Sequence, residues 1–528
     1  MVNSTDSFHL PDPASLSLEQ QVAQMVVIRA SGYLFDHQIR YPDWEPPNET
    51  LKAWIAQWGV GGVILVGGSA AELHDRINRL QSWATFPLLV GADVEEGVGQ
   101  RFSGATHFPP PMALGAIAEK SPQAARHYAQ QMGEMTAKEA VAIGLNWLYG
   151  PVVDVNNNPQ NPVINVRAFG ETPQGVSQLT AAYIQGVKPY PILTTAKHFP
   201  GHGDTAVDSH LELPVLPHSE ARLAEIELPP FQGAIAAGVD SIMSAHLLIR
   251  AWDDRYPATL SAKILTQKLR QELGFTGLIV TDALVMGAIT QHYGSNEAAV
   301  LAVQAGADIL LMPQDPPGAI AAVCAAVRAG KIAPESIQAS VERIFQAKQK
   351  VKPRPEFSQF PQALGTPETR QTVQSILRDA QESGGHLPLN LPGGCNLIVV
   401  DDALDCSVLA KPAPAIVIPE AKGYPLQLVD RHTPSLPTQG LQPTLLQLFV
   451  RGHPFRGSST LNETAIAWFE ALLKTDNLQA LVIYGSPYIL EFLRPQLPDP
   501  VPYVFSYGQM PHAQAIALKT LIATRDSS

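Results

Sequence analysis

Cysteine is scarce in this sequence: Cys324, Cys395 and Cys406 are the only three among 528 residues. An odd number without paired spacing argues against a disulfide framework and suits a reducing compartment. Positive charge is also short, with 36 Lys and Arg against 48 Asp and Glu and a net charge of −12. No basic stripe is there to neutralise phosphates, so no nucleic-acid partner is expected. Long apolar runs are missing, none approaching the roughly 18 residues that span a bilayer, so no membrane partner is expected either. The opening stretch, MVNSTDSFHLPDPASLSLEQQ, has neither the basic start nor the apolar core of a secretion signal. These absences give the expectation of a soluble, cytoplasmic protein.

What is present is apolar material, 45% of the residues, enough for large cores. The length exceeds one ordinary domain and makes two the natural expectation. From about residue 20 to 350, short apolar runs alternate with longer amphipathic ones. The short runs are QMVVI (24–28), GVILV (62–66), PLLVGA (87–92), NWLYG (146–150), ILTTA (192–196), SIMSA (241–245), LIVT (278–281) and DILLM (308–312). Helix-like segments such as 121–144 and 261–274 lie between them. In the latter Ser261 can cap the first turn and Gly274 stands past the end. Strands joined by helical crossovers predict a parallel sheet covered by helices, and the count predicts a (β/α)8 barrel over residues 1–350.

Residues 351–394 are rich in Pro and Gly at both ends and read as a linker with one helix. Thr366 suits its N-cap, Pro367 its first position, and Val373, Ile376, Leu377 and Ala380 share one face. From 395 to 528 the alternation restarts with CNLIVVDD, PAIVIPE, LQLFVRG, TAIAWFEALLK, ALVIYGSPYIL and VPYVFSYG. That pattern predicts a smaller α/β sandwich domain. The expected fold class is therefore α/β, a TIM-type barrel followed by that second domain.

Polar residues stand where the apolar runs end: Asp93, Asp154, Lys197 with His198, His246 and Asp282. In barrel enzymes the C-terminal strand ends converge on one pocket, so this row of endings is what a catalytic face produces. The densest cluster is KHFPGHGDTAVDSH (197–210), with three histidines, two aspartates and a lysine. Metal ligation is one reading, since His198, His202, His210, Asp204 and Asp208 are suitable ligand types. Against it, catalytic metals in barrels draw ligands from several strand ends, and the chain has no HExxH. Proton transfer is the other reading. Asp208 two residues before His210 can stabilise an imidazolium and raise its pKa above about 6.5.

KHFPGHGDTAVDSH resembles the signature loop of bacterial β-N-acetylglucosaminidases in glycoside hydrolase family 3. The resemblance extends through VVDVNNNPQNPVINVRAFG (152–170), SIMSAH (241–246) and TDALVMGAI (281–289). It covers most of residues 20–350, and 395–528 is more loosely similar to the family's second α/β domain. The resemblance implies Asp282 as the nucleophile, His210 as the general acid/base and Asp208 as its orienting partner. It further implies that Asp93, Arg101, Arg167, Lys197 and His198 bind sugar hydroxyls, while Asp154 and His246 fall within family motifs. One departure stands out. The family pattern after the third strand is D-x-E-G-G-x-V-x-R, whereas this chain has DVEEGVGQR (93–101), with Glu96 for a glycine and Gly99 for a valine.

On this resemblance the expected substrate is a carbohydrate containing N-acetylglucosamine, with no cofactor and no metal. A fixed carboxylate and a proton donor on a glycine-containing loop fit a retaining double displacement. An imidazole in place of the usual carboxylic acid also leaves phosphorolysis open, because it does not repel an anionic acceptor. A β-glucosidase-type enzyme, a metal-dependent hydrolase and a non-catalytic sugar-binding protein are the alternatives.

Overall fold

A computed structural model describes residues 10–209, 211–352, 359–389, 393–404, 406–433, 441–451 and 461–522. Five parallel strands lead the first sheet: β1 (Val26–Ser31), β2 (Gly62–Val66), β3 (Leu89–Ala92) and β4 (Trp147–Leu148), with β8 (Leu310–Leu311) on the far side of β1. Three more, β5 (Thr195–Phe199), β6 (Ser241–Ser244) and β7 (Leu278–Val280), form a second parallel set in that order. Bridges between Trp147 and Leu193 and between Val280 and Ile309 join the two sets at both edges. The result is the eight-stranded closed ring that the alternation predicts. Strands buried on both faces read as continuous apolar runs, which is why GVILV and LIVT carry no period of two.

Local signals set the helices. Ser69 caps Ala70–Trp83 reciprocally with Glu72, each side chain meeting the other's backbone N–H. Pro122 opens Pro122–Ala142, where its missing N–H costs nothing. Ser261 accepts from the Ile264 N–H, and Gly274 ends that helix in the left-handed region at φ 67°.

The second sheet has the order β9–β14–β13–β12–β10–β11. These are β9 (Glu382–Gly384), β10 (Cys395–Val399), β11 (Leu426–Val429), β12 (Thr444–Val450), β13 (Leu478–Gly485) and β14 (Tyr503–Ser506). All neighbours are parallel except the β9 edge, which lies within the stretch read as linker and pairs antiparallel with β14. Two details depart from the sequence pattern. PAIVIPE is the helix Pro414–Glu420, opened by Pro414, and the adjoining strand is instead Leu426–Val429, whose side chains are mostly exposed.

Pro367–Asp379 forms as expected, capped by Thr366, and buries Val373, Ile376 and Leu377. Through it one apolar core runs from the barrel into one face of the second sheet. Tyr128 Oη donates to Asp379 Oδ2 at 2.8 Å across this junction. Cys324 is core, and no disulfide joins any of the three cysteines. Among the described residues no helix is long and apolar enough to cross a membrane.

Candidate active site

Lys197 lies inside β5, 1% exposed, and a lone ammonium buried that deeply needs counter-charge. Two carboxylates from the loop after β3 supply it: Asp93 Oδ1 at 2.8 Å and Glu95 Oε1 at 2.6 Å. Glu95 also receives the fork of Arg167, with Nε to Oε2 and Nη2 to Oε1 both at 2.8 Å. The result is a chain Asp93–Lys197–Glu95–Arg167 built from three strand-end segments. Arg101 is more exposed, and its Nε donates to the Asp93 carbonyl at 3.0 Å. Burial alone would raise both carboxyls. The charges of Lys197 and Arg101 nevertheless hold Asp93 below its usual value, and Arg167 and Lys197 hold Glu95 well below. Lys197 is shifted upward, since these two carboxylates outweigh its burial. All members of the chain therefore stay charged at neutral pH.

Asp154 organises the loop that follows β5. Its carboxylate accepts the His198 backbone N–H at 3.1 and 3.2 Å, the His198 ring Nδ1–H at 2.8 Å and the His202 N–H at 2.7 Å. Asp154 thus acts on backbone and on His198, fixing which ring nitrogen of that histidine carries the proton. Asn161 reinforces the arrangement by donating to the His202 and Gly203 carbonyls at 2.8 and 3.0 Å. Gly203 packs so closely that an added Cβ would lie 1.6 Å from the Val155 carbonyl oxygen, so only glycine fits.

The His202 ring sits between Thr205 Oγ1 at 2.8 Å and Ser209 Oγ at 2.9 Å. Burial, reinforced by the neighbouring charge of His198, pushes it down to about 4, so it is neutral. Asp208 is buried, and its carbonyl accepts from the Leu211 and Glu212 N–H groups. His210, expected as the acid/base, lies outside the described residues.

Asp282 follows β7 and remains partly open to solvent, with Oδ1 accepting the Ala283 N–H at 2.8 Å. His246, fully buried, spans from Thr259 Oγ1 at 2.8 Å to the Ala283 carbonyl at 3.0 Å and so fixes the backbone beside Asp282. The two halves of the site meet. The negative charge of Asp282 acts on His202, and Gln291, beyond Asp282, donates to the Leu211 carbonyl at 3.0 Å. Among the described residues, no three His, Cys, Asp or Glu side chains group as a metal site would require.

The structure thus gathers Asp93, Arg101, Arg167, Lys197, His198, Asp154, Asp208, His246 and Asp282 on one barrel face. Glu95 is the residue that sequence reasoning left out of the site. Its signal was the second acidic residue of DVEEGVGQR, and the structure gives the reason for it, since the buried Lys197 and the largely covered Arg167 both pair with this carboxylate. A second omission is Glu96, whose partner Arg451 comes from the other domain.

Comparisons agree with this architecture. Residues 17–347 match the glycosyl hydrolase family 3 N terminal domain, and residues 389–523 match the bacterial glycosyl hydrolase family 3 C-terminal domain. The chain is 38% identical over 290 residues to beta-hexosaminidase A of Pseudoalteromonas piscicida, covering 51% of this chain and 48% of that one. It is 37% identical over 277 residues to a beta-hexosaminidase of Nitrosomonas eutropha, covering 52% and 79%. The chain therefore spans about half the length of the Pseudoalteromonas relative. Among solved structures, a glycoside hydrolase family 3 beta-N-acetylglucosaminidase from Paenibacillus sp. str. FPU-7 superposes with a TM-score of 0.80 at 29% identity, covering 96% of each chain. The chain belongs to glycosyl hydrolase family 3.

Proposed function

We propose that this protein is a retaining exo-β-N-acetylglucosaminidase. The observation that carries the proposal is the charged chain Asp93–Lys197–Glu95–Arg167 on the same barrel face as the partly open Asp282 carboxylate. A sugar presents several hydroxyls, each both donor and acceptor. A row of fixed carboxylates and cations can bind those hydroxyls without reorganising. The names of the Pseudoalteromonas, Nitrosomonas and Paenibacillus relatives supply the N-acetylhexosamine specificity.

In the proposed reaction Asp282 attacks the anomeric carbon and forms a glycosyl ester while His210, as imidazolium, gives its proton to the departing oxygen. The neutral imidazole then takes a proton from water, which attacks the ester and releases the sugar with net retention. Asp208 orients His210 and favours its protonated form. His246 and Asp154 act one step back, the first holding the backbone at Asp282 and the second shaping the loop that leads to His210. Peptidoglycan fragments are the proposed natural substrate, and the cytoplasm the proposed location.

The test is release of nitrophenol from its β-N-acetylglucosaminide and its β-glucoside under the same conditions. The proposal predicts turnover of the first and little of the second. Preference for the glucoside would refute the assigned specificity. Cleavage of neither, by a protein verified as folded, would refute the activity.

A further inference from the structure

Glu96 stands where the family pattern places a glycine, and it is completely buried. Its carboxylate is met from two sides. Arg451, which follows β12 of the second domain, donates from Nη2 to Oε1 at 2.6 Å and from Nη1 to Oε2 at 3.2 Å. His107, from the barrel loop, approaches Oε2 at 3.1 Å. Burial opposes ionisation, but the Arg451 charge, followed by the His107 hydrogen bond, brings Glu96 down to about 2. The pair is therefore charged and forked, the geometry in which such contacts are strongest.

The backbone makes this pair matter for the site. Gln100 Oε1 accepts the N–H groups of both Glu95 and Glu96, at 2.8 and 3.0 Å, and the Glu96 carbonyl accepts from Phe108. Glu96 cannot shift without moving Glu95, which holds Lys197 and Arg167. A second strut reaches the other end of the chain. Tyr488, in the second domain, accepts from Asn156 Nδ2 at 2.7 Å, and Asn156 Oδ1 accepts the Asn165 N–H at 2.8 Å. Asn165 sits at φ 44°, two residues before Arg167.

We propose that the second domain completes the sugar site by bracing the two loops that carry Glu95 and Arg167, with Arg451 and Glu96 as the positioning pair. This rests on the glycosidase reading for its choice of substrate. Removing Arg451 takes the forked cation from a buried carboxylate one residue from Glu95 and leaves it to His107, so the loop must move to rehydrate it. The expected signature is weaker sugar binding, an effect on KM rather than on kcat. Adding Glu96→Gln removes the stranded charge and should return part of the loss.

The experiment compares KM and kcat on nitrophenyl β-N-acetylglucosaminide for the parent, Arg451→Met, Arg451→Met with Glu96→Gln, and Tyr128→Phe. The last breaks a contact to the linker helix away from the sugar loops. The expected result is a KM rise of threefold or more in Arg451→Met with kcat changed less than KM, a smaller rise in the double variant, and KM within twofold in Tyr128→Phe. A rise below threefold overturns the inference. So does a rise shared equally by Tyr128→Phe, a rise that Glu96→Gln does not reduce, or a loss falling chiefly on kcat. Should Arg451→Met fail to fold, Arg451→Lys alone, which keeps the charge but loses the fork, is read against the threefold KM limit and the Tyr128→Phe control. An inactive parent would count against the glycosidase reading alone. The same variants would then be compared by tryptophan-fluorescence titration with N-acetylglucosamine, with the threefold limit applied to Kd.

Discussion

Glu95→Gln is the substitution that most directly probes how the proposed sugar-binding face is held together. Glu95 is 4% exposed and carries three short contacts, one to Lys197 at 2.6 Å and two to Arg167 at 2.8 Å. Glutamine keeps the shape, but its amide NH2 must face a cation, and Lys197 retains Asp93 as its one remaining carboxylate contact in this chain. Breaking one partner of a buried ion pair costs about 3–5 kcal/mol, and the retained shape puts the expected cost near the lower end, about 3 kcal/mol. The barrel of about 330 residues has an unfolding entropy of about 0.7 kcal/mol/K, so the transition should fall by about 4 °C in calorimetry. The pH dependence has a fixed sign. Glu95 is held well below its ordinary value, so its contribution is complete above about pH 4.5 and fades as pH falls toward the depressed folded pKa. The gap between parent and variant should thus be constant from pH 5 to 8 and narrow under strong acid. A drop below 1 °C, or a gap that widens with acid, would refute the view that Glu95 is the shared counter-charge.

Two other perturbations test separate parts of the account. His210→Ala should slow substrates with poor leaving groups at least tenfold more than nitrophenyl substrates, because general acid catalysis is worth about 10²–10⁴-fold and an activated leaving group needs little of it. Leaving-group series kinetics read this, and equal losses across the series would remove His210 from the role of proton donor. Lys348, buried on the last barrel helix with Nζ donating to Gln24 Oε1 at 2.6 Å, is pushed down to about 7 by burial. The unfolded chain holds that proton until about pH 10.4, so the parent should gain stability between pH 7 and 10. Lys348→Met should flatten that gain in a melting-temperature series, and an unchanged slope would assign the pH dependence elsewhere.

Much of this fold is legible in the sequence because parallel barrel strands are buried on both faces and announce themselves as short apolar runs. β4 and β8 are only two residues long, yet NWLYG and DILLM still mark their places. The site is legible for the same reason, since Asp93, Lys197 and Asp282 interrupt apolar runs at the strand ends. PAIVIPE departs from the alternation because its short apolar run, residues 415–418, suits a strand as well as a helix, and Pro414 at the first helical position opens it as a helix. Glu96 and Arg451 were hidden by distance along the chain, 355 residues apart, and no local spacing reports such a pair. The departure from glycine at 96 was visible, but its partner required the folded chain.

The central claim is that Asp282 forms a covalent bond to the sugar. Incubation with a fluorinated N-acetylglucosaminide that carries a good leaving group slows hydrolysis of the ester and accumulates it, and peptide mass spectrometry then locates the added mass. The account predicts one sugar per chain, attached within TDALVM at Asp282. Labelling of any other carboxylate, or turnover that proceeds in Asp282→Ala without label, would contradict it.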